Sequence, residues 1–183
     1  MRSQQIKNCL DRQVTIRPWT RWDGIDEVVN LINSVYRRAE EGIWVNSKNR
    51  IDQEEFLKNQ EIGKTLLAFK NKKLVGSVYL KLEKTKQIRF EKLAVDAKYR
   101  EEGIGSMLVK EVEKTARSLG GKNIGFELLV PINHINLFKE KVKGWYLNRG
   151  YRIIGRQSIE SFVPQSIKYL LNPAEFLIFT KKL

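Results

Sequence analysis

Two glycines and an arginine stand where a predicted strand turns into a helix, and together they could bind a phosphate group. The apolar strand ends at Val95, Arg100 lies in the polar loop that follows, and Gly103 and Gly105 open the helix. The start of a helix leaves backbone N–H groups unbonded and carries a partial positive charge, so an anion placed there receives several donors. Because glycine has no Cβ, its backbone can approach a phosphate oxygen closely. Taken alone, the same motif is also typical of an ordinary turn between a strand and a helix.

The strand before this loop and the helix after it must hold the glycines in place. Residues 88–95 alternate at first and then become apolar on both sides, which is typical of a strand inside a sheet. After Gly103, apolar residues recur at helical spacing until Gly120 and Gly121 end the pattern. We expect this apolar stripe to pack on the sheet; its members are Ile104, Met107, Leu108, Val112, Ala116 and Leu119.

The apolar pattern in the rest of the sequence predicts further strands and helices that alternate along the chain. Further strands are expected at residues 14–18, 65–69, 74–82, 124–130, 151–155 and 175–180, with a turn at Asn71 and Lys72 inside a hairpin. Further helices are expected at residues 24–36, from an Asp52 cap through Leu57, and from about Phe138 to an end at Gly150. We therefore expect helices and strands in one domain.

Length and composition agree with a single domain. The chain has 183 residues, of which 42% are hydrophobic and 30% charged, and this is enough for one buried core. It has no apolar run of the roughly 18 residues that cross a bilayer, and residues 1–5 lack the apolar segment of a signal peptide. We therefore expect a cytoplasmic protein without a membrane partner.

The cysteine and histidine content argues against several kinds of catalytic site. The chain has one cysteine, Cys9, and one histidine, His134. A zinc site of the usual kind or a Cys–His nucleophile pair needs side chains that this sequence does not have, so we expect no metal. A single cysteine also permits no disulfide within the chain.

The formal net charge of +13 raises the question of a nucleic-acid partner. The basic residues are spread along the chain without an arginine-rich block. We interpret them as a solvated basic surface, which would also attract a polyanionic ligand, rather than as a nucleic-acid interface. The densest group surrounds the predicted hairpin and consists of Lys70, Lys72, Lys73, Lys81, Lys84 and Lys86.

Two motifs in this order of elements resemble a known family. The first is Arg100-x-x-Gly103-x-Gly105 after the strand that ends at Val95, and the second runs from Trp145 to Tyr151 and contains Tyr146 and Gly150. Over about residues 13–183 they resemble the GNAT superfamily of acyl-CoA-dependent N-acyltransferases, with residues 1–12 as a polar tail. The resemblance implies an α/β (α+β) fold with a mixed, mainly antiparallel sheet of six or seven strands, flanked by about four helices, whose central strands splay apart.

The resemblance also implies that acetyl-CoA is the cosubstrate and inserts between the splayed strands. Its pantetheine arm would pair with the backbone of the first splayed strand as if it were an added strand, and the N–H groups of the glycine loop would hold the pyrophosphate. The residues implied in cofactor binding are Leu93, Ala94, Val95, Arg100, Glu101, Glu102, Gly103, Ile104, Gly105 and Ser106.

By the same resemblance, an amine attacks the thioester carbonyl and the CoA thiolate leaves. One group must then take a proton from the amine, and another must supply a proton to the sulfur. Tyr146 matches the tyrosine of the second motif and is the candidate acid. The alternative is that Tyr146 only packs beside Trp145.

The base is expected on the strand that ends at Val95, where members of the family often carry an acidic residue or a histidine. Strict alternation would place Glu91 on the same face as Leu93 and Val95. We therefore predict Glu91 as the base, directly or through water, with a pKa raised by burial. An ion pair with Arg89 or a lysine is the alternative role of Glu91, and His134 or water is the alternative base.

The acceptor pocket of this family is built by the first two helices and their connection, here about residues 36–51, with a contribution from residues 161–172. Glu40, Glu41 and Trp44 could bind an ammonium group there by charge and cation–π contact. The alternative is a solvated helix end followed by an anchoring tryptophan.

The sequence thus predicts an N-acetyltransferase that acts on a primary amine of a small molecule or a peptide. Two other functions stay open: a CoA-binding regulatory domain without turnover, and a basic nucleic-acid-binding module. The acceptor amine and the length of the natural acyl group are also open. Family members often form dimers, and exposed edge strands near the C-terminus are compatible with a homodimer.

Overall fold

The structure of the protein, a computed structural model, describes residues 13–45, 49–82 and 88–183. The tail 1–12 with Cys9, and the lysines Lys84 and Lys86 of the predicted basic group, lie outside the described residues. Seven strands are present: β1 (Val14–Pro18), β2 (Gly63–Lys70), β3 (Lys73–Leu82), β4 (Ile88–Val95), β5 (Asn123–Pro131), β6 (Arg152–Ser158) and β7 (Ala174–Lys182). The helices are α1 (Ile25–Ala39), α2 (Gln53–Ile62), α3 (Ile104–Ser118), α4 (Leu137–Leu147) and α5 (Ile159–Phe162), with 3-10 turns at Ala97–Tyr99 and Pro164–Tyr169.

The seven strands form one mixed sheet in the order β1-β2-β3-β4-β5-β7-β6. All neighbours are antiparallel except β4 and β5, which run parallel. The hairpin of β2 and β3 turns at Asn71 and Lys72, both with φ near +50° to +60° as two-residue hairpin turns require. The predicted fold class is confirmed. None of the described helices has the length and apolar character needed to span a membrane.

Helices cover both faces of the sheet. On one face α3 and α4 bury their apolar sides in the larger core, which contains Ile104, Leu108, Val112 and Ala116 of the predicted stripe. Two further members of that stripe, Met107 and Leu119, are exposed, so the stripe is narrower than predicted. On the other face α1 and α2 pack against the sheet through a second core that contains Val28, Ile32, Phe56, Leu67 and Ala94. Asp52 caps α2 as predicted, because its carboxylate accepts a hydrogen bond from the Glu55 N–H.

A β-bulge in β4 overturns the predicted alternation of that strand. Tyr79 of β3 pairs with Glu91 and Ser77 pairs with Ala94, so two residues of β4 stand opposite one residue of β3. Lys92, inside the bulge, has φ +55°. A bulge inserts one residue, and the side chains before it therefore exchange faces relative to those after it.

The expectation that Glu91 shares a face with Leu93 and Val95 is therefore wrong. Leu93 and Val95 pack toward the core beneath α3 and α4, together with Phe90. Glu91 instead points toward α1 and α2, where Lys92 lies 3.2 Å from Glu91 and 3.3 Å from Glu55 of α2.

Candidate functional site

The sheet opens in its middle because β4 and β5 separate. Within the described residues the two strands pair at Ile88 with Ile124 and at Arg89 with Gly125, and the register ends there. From Phe90 to Val95, the backbone N–H and C=O groups of β4 that face β5 therefore form no ladder with that strand within the described residues. The predicted splay requires this separation. A cavity of about 520 Å³ fills this opening, and it is called the central cavity below. Its size is that of a ligand site.

The start of α3 lies at the mouth of the central cavity. Its N-cap, Gly103, has φ +80° and provides no side-chain cap for the helix, so the first N–H groups of α3 are left for another acceptor. A Cβ added to Gly103 would meet no atom within 4 Å. Arg100 lines the same mouth, with its guanidinium 5.3 Å from the centre of the Phe138 ring. A helix start, an open glycine and a cation fit a diphosphate.

Most of the residues predicted for cofactor binding lie on this cavity. Its lining includes Leu93, Val95, Arg100, Glu101, Gly103, Ile104, Gly105 and Ser106. Two predicted residues do not line it. Ala94 is buried in the core beneath α1 and α2. The Glu102 carboxylate lies 2.5 Å from the Lys70 ammonium.

Tyr146, the candidate acid, lies deep in the central cavity. Its residue is 4% exposed and its ring lies 4.0 Å from that of Phe126, centre to centre, within an aromatic cluster that also contains Tyr151. Burial raises the pKa of Tyr146 well above its ordinary value, with a smaller contribution from Tyr36. Its hydroxyl makes no hydrogen bond within the part of the chain that the structure describes. The side chain is therefore a neutral donor with its proton available.

A second cavity of about 490 Å³, called the side cavity below, lies between the end of α1 and the segment from Phe162 to Tyr169. This is where an acceptor pocket was predicted. Tyr36, Glu91 and Lys92 line both cavities and form the wall between them. Burial raises the pKa of Tyr36 to about 12, against an opposing effect of Arg50.

The three residues predicted to bind the acceptor all line the side cavity. Glu40 is 5% exposed and accepts a hydrogen bond of 2.7 Å from the indole N–H of Trp44. It also pairs at 3.5 Å with Lys139 of α4, which is 3% exposed. Burial opposes ionisation of Glu40, but Lys139 and Arg50 outweigh it and lower the pKa of Glu40. Glu41 is exposed at the rim.

Glu91, the candidate base, is an ionised carboxylate between two lysines. Lys92 lies 3.2 Å and Lys81 3.6 Å from its oxygens. Burial raises the pKa of Glu91, but the two lysines and Arg50 outweigh burial and the net shift is downward. The predicted rise of this pKa is therefore wrong. The alternative role of Glu91, an ion pair with a lysine, is the one that the structure shows. Arg89, the other predicted partner, pairs with Glu127 of β5 instead.

His134, the alternative base, lines neither the central cavity nor the side cavity. It is exposed and lines a separate small cavity with Glu140 and Arg156. Within the described ranges, no group of three or more His, Cys, Asp or Glu side chains is placed to hold a metal ion.

Sequence reasoning gave no individual role to three residues of the site, which are Tyr36, Arg50 and Lys139, although the predicted acceptor segment 36–51 contains the first two. Tyr36 continues the apolar pattern of α1, and the pattern does not distinguish it from a core residue. Arg50 is positioned beside the side cavity because its backbone N–H donates a hydrogen bond to the side-chain oxygen of Asn33, which is 17 positions away in the chain. A lysine in a lysine-rich segment gives no sign that it is buried. The partner of Lys139, Glu40, is also 99 positions away in the chain, so the pair is not visible in the sequence.

Solved structures share this fold. A GNAT family acetyltransferase from Elizabethkingia anophelis with acetyl-CoA bound is 18% identical, with a TM-score of 0.68 over 93% of this chain and 98% of that one. The PaiA N-acetyltransferase of Thermoplasma acidophilum in complex with coenzyme A is 17% identical, with a TM-score of 0.67 over 93% and 99%. The ribosomal-protein-S18-alanine N-acetyltransferase of Escherichia coli is 14% identical, with a TM-score of 0.66 over 93% and 94%.

No curated protein sequence matches the chain closely enough to count as a relative. The family model described as acetyltransferase (GNAT) family does match, over residues 26–140. That match includes α1 from its second residue, the splayed strand β4, the glycine loop and the whole of α3. Because it spans well over half of the sequence, the chain belongs to the acetyltransferase (GNAT) family.

Proposed function

We propose that the protein is an N-acetyltransferase that uses acetyl-CoA and acts on a primary amine in the cytoplasm. The observation that carries the proposal is the uncapped, glycine-marked start of α3 at the mouth of a cavity that also contains the Tyr146 hydroxyl. One end of this cavity suits a diphosphate and the other supplies a proton donor. The acetyl-CoA and coenzyme A seen in two of the similar structures support the same assignment.

The chain's own residues would bind the cosubstrate mainly through the backbone. The N–H groups from Glu101 to Ser106 would hold the pyrophosphate, with Arg100 as an added cation. Leu93 and Val95 would pair with the pantetheine amides, because the β5 side of this stretch of β4 is left without strand pairing. When bound, acetyl-CoA supplies the activated acetyl thioester.

Proton movement would occur at the wall between the two cavities. The acceptor amine must lose a proton as its bond to the acetyl carbon forms, and the sulfur gains one as the carbon–sulfur bond breaks. Tyr146 would donate the proton to sulfur. Glu91, ionised and on the shared wall, would take the amine's proton directly or through water. The side cavity would hold the acceptor, with Glu41 and the Glu40–Trp44 pair in its lining.

The proposal is tested by calorimetric titration with acetyl-CoA, followed by measurement of free thiol with primary amines as acceptors. We expect saturable binding and thiol release that depends on the amine. Binding without release from any amine would support a regulatory CoA-binding domain instead. No binding of any acyl-CoA would contradict both functions, and binding of nucleic acid that weakens steeply with salt would then favour the third.

Glu91→Gln is expected to lower kcat at least about tenfold without changing the shape of the pH–rate profile between about pH 6 and pH 9. The reason is the lowered pKa of Glu91: a base must be ionised, and this carboxylate stays ionised until the pH falls below its ordinary range near 4.5. The rise of rate with pH in this window then reflects deprotonation of the acceptor amine. Stopped-assay rates at each pH check this. Glu54→Gln on α2 is the control, and a kcat of Glu91→Gln equal to that of the control would remove Glu91 from the mechanism.

A further inference from the structure

Arg50 is a cation of the side cavity that the catalytic roles above do not use. Its side chain lines the cavity, and its Nε atom is buried without a hydrogen-bond partner within the described residues. Its guanidinium carbon lies 4.9 Å from the centre of the Tyr36 ring, over one face of it. A guanidinium stays charged in proteins, and burying one of its donors unpaired is unfavourable. An anion in the cavity that pairs with the guanidinium would offset this cost.

The backbone at Arg50 is fixed by a buried side chain of α1. The Asn33 side-chain oxygen accepts hydrogen bonds from the N–H groups of Arg50 at 2.8 Å and Ile51 at 3.1 Å. The Asn33 amide nitrogen donates to the Ile51 carbonyl at 2.9 Å. Asn33 is 8% exposed, so these bonds are shielded from water. The arginine is therefore placed in the cavity before a ligand arrives, which lowers the entropic cost of binding.

The carboxylates around Arg50 are already engaged by other groups. Glu40, Glu55 and Glu91 act on Arg50 electrostatically, but none of them lies within salt-bridge distance of it. The salt bridges of this wall join those three carboxylates to three lysines, which are Lys81, Lys92 and Lys139. Asp52 caps α2, and the rim carries Arg37 and Glu41, one charge of each sign. Among the described residues that line the side cavity, Arg50 is thus the interior cation that forms no salt bridge.

The place of Arg50 limits the size of the ligand. Tyr36, on which its guanidinium stacks, also lines the central cavity and belongs to the shared wall. A carboxylate bound by Arg50 would therefore be separated from the amine that reacts at this wall by about the width of the Tyr36 side chain. That separation suits an amine and a carboxylate in the same small molecule. The side cavity, at about 490 Å³, has room for such a molecule.

We propose that the acceptor is an amino acid, whose carboxylate pairs with the guanidinium of Arg50, which forms no salt bridge within the described residues, while its amine faces Glu91 and the central cavity. This inference rests on the proposed acetyltransferase function and names its substrate class. An arginine suits this role because its planar donors match the two oxygens of a carboxylate. Substrates without a carboxylate, such as a polyamine, would leave Arg50 unpaired.

The test compares L-amino acids with their C-terminal amides as acceptors, with acetyl-CoA saturating and free thiol as the readout. We expect amino acids to react with higher kcat/KM than the matching amides. In Arg50→Met, kcat/KM for the preferred amino acid should fall about 50-fold and that for its amide less than about threefold, because only the acid loses a charge-assisted hydrogen-bond pair. Arg50→Lys should recover part of the loss. Arg38→Met, on the exposed part of α1, removes the same charge outside the side cavity and is the matched control.

A binding measurement separates this inference from the proposed function. N-acetylated amino acids and their amides are titrated into the protein, which requires no turnover. If the native protein binds the N-acetylated amino acid more tightly than its amide, and Arg50→Met binds both equally, the inference is supported even where no acceptor releases thiol. Equal use or binding of acids and amides, a preference for carboxylate-free amines, or an equal loss for both in Arg50→Met would overturn it. Failure of acetyl-CoA to bind would instead contradict the proposed function.

Discussion

Replacement of Tyr146 by phenylalanine is expected to lower kcat for acetyl transfer by about 100- to 10,000-fold, the usual contribution of a positioned general acid. The change removes one oxygen and keeps the ring that packs 4.0 Å from Phe126, so the aromatic cluster should stay intact. Because burial raises the pKa of Tyr146 well above 10, the native hydroxyl remains protonated through the physiological range. Thiol release under saturating acetyl-CoA measures the loss, and calorimetry should show unchanged acetyl-CoA affinity.

Tyr151→Phe is the matched control for this prediction. Tyr151 belongs to the same aromatic cluster, with its ring 5.6 Å from that of Tyr146, but its hydroxyl donates to Glu113 at 3.0 Å. Loss of that hydrogen bond should lower the free energy of unfolding by about 1–3 kcal/mol and leave kcat nearly unchanged. If both variants lose the same fraction of kcat, the effect of Tyr146 is one of packing. A Tyr146→Phe variant that retains native kcat would assign the proton to water.

The order of strands and helices could be predicted because each element carries its own local signal. The Asn71–Lys72 turn, the Asp52 cap and the glycines on either side of α3 mark boundaries through backbone preferences that need no distant partner. The short helix α5 and the 3-10 turn after it were not predicted. They follow β6, and Ile159 and Val163 pack in a small core with Trp44 and Phe176, which are distant in the sequence.

The site could be predicted only where its chemistry depends on the backbone. A glycine loop is visible in the sequence, and the structure lines the central cavity with it. The orientation of Glu91 was not visible, because a bulge at Lys92 reverses a face and strict alternation assumes that none occurs. The predicted direction of the pKa shift of Glu91 was wrong for the same reason. Strict alternation places Lys92 on the face opposite Glu91, but the bulge brings its ammonium next to the carboxylate and lowers the pKa of Glu91.

The largest effect on cosubstrate binding is expected for Gly103→Val, which should weaken acetyl-CoA affinity by more than about 100-fold as the phosphate loses charge-assisted donors from the start of α3. A Cβ at this position would point into open space at the cavity mouth, where nothing of the chain lies within 4 Å. In the proposed function, the pyrophosphate would occupy the space that the valine side chain fills. Calorimetric titration with acetyl-CoA measures the change, and thiol release at saturating acetyl-CoA shows whether turnover survives.

Steric exclusion can be separated from backbone strain at Gly103, because the chain offers a second glycine in the same conformation. Gly120, at the other end of α3, has φ +79° and also has no atom within 4 Å of an added Cβ. Gly103→Val and Gly120→Val should therefore each cost about 1–2 kcal/mol of folding free energy, since both force a side chain into the left-handed region. Gly120 lies outside the central cavity, so its variant should bind acetyl-CoA as the native protein does. Equal weakening in both variants would mean that strain in α3, and not a blocked phosphate site, controls affinity.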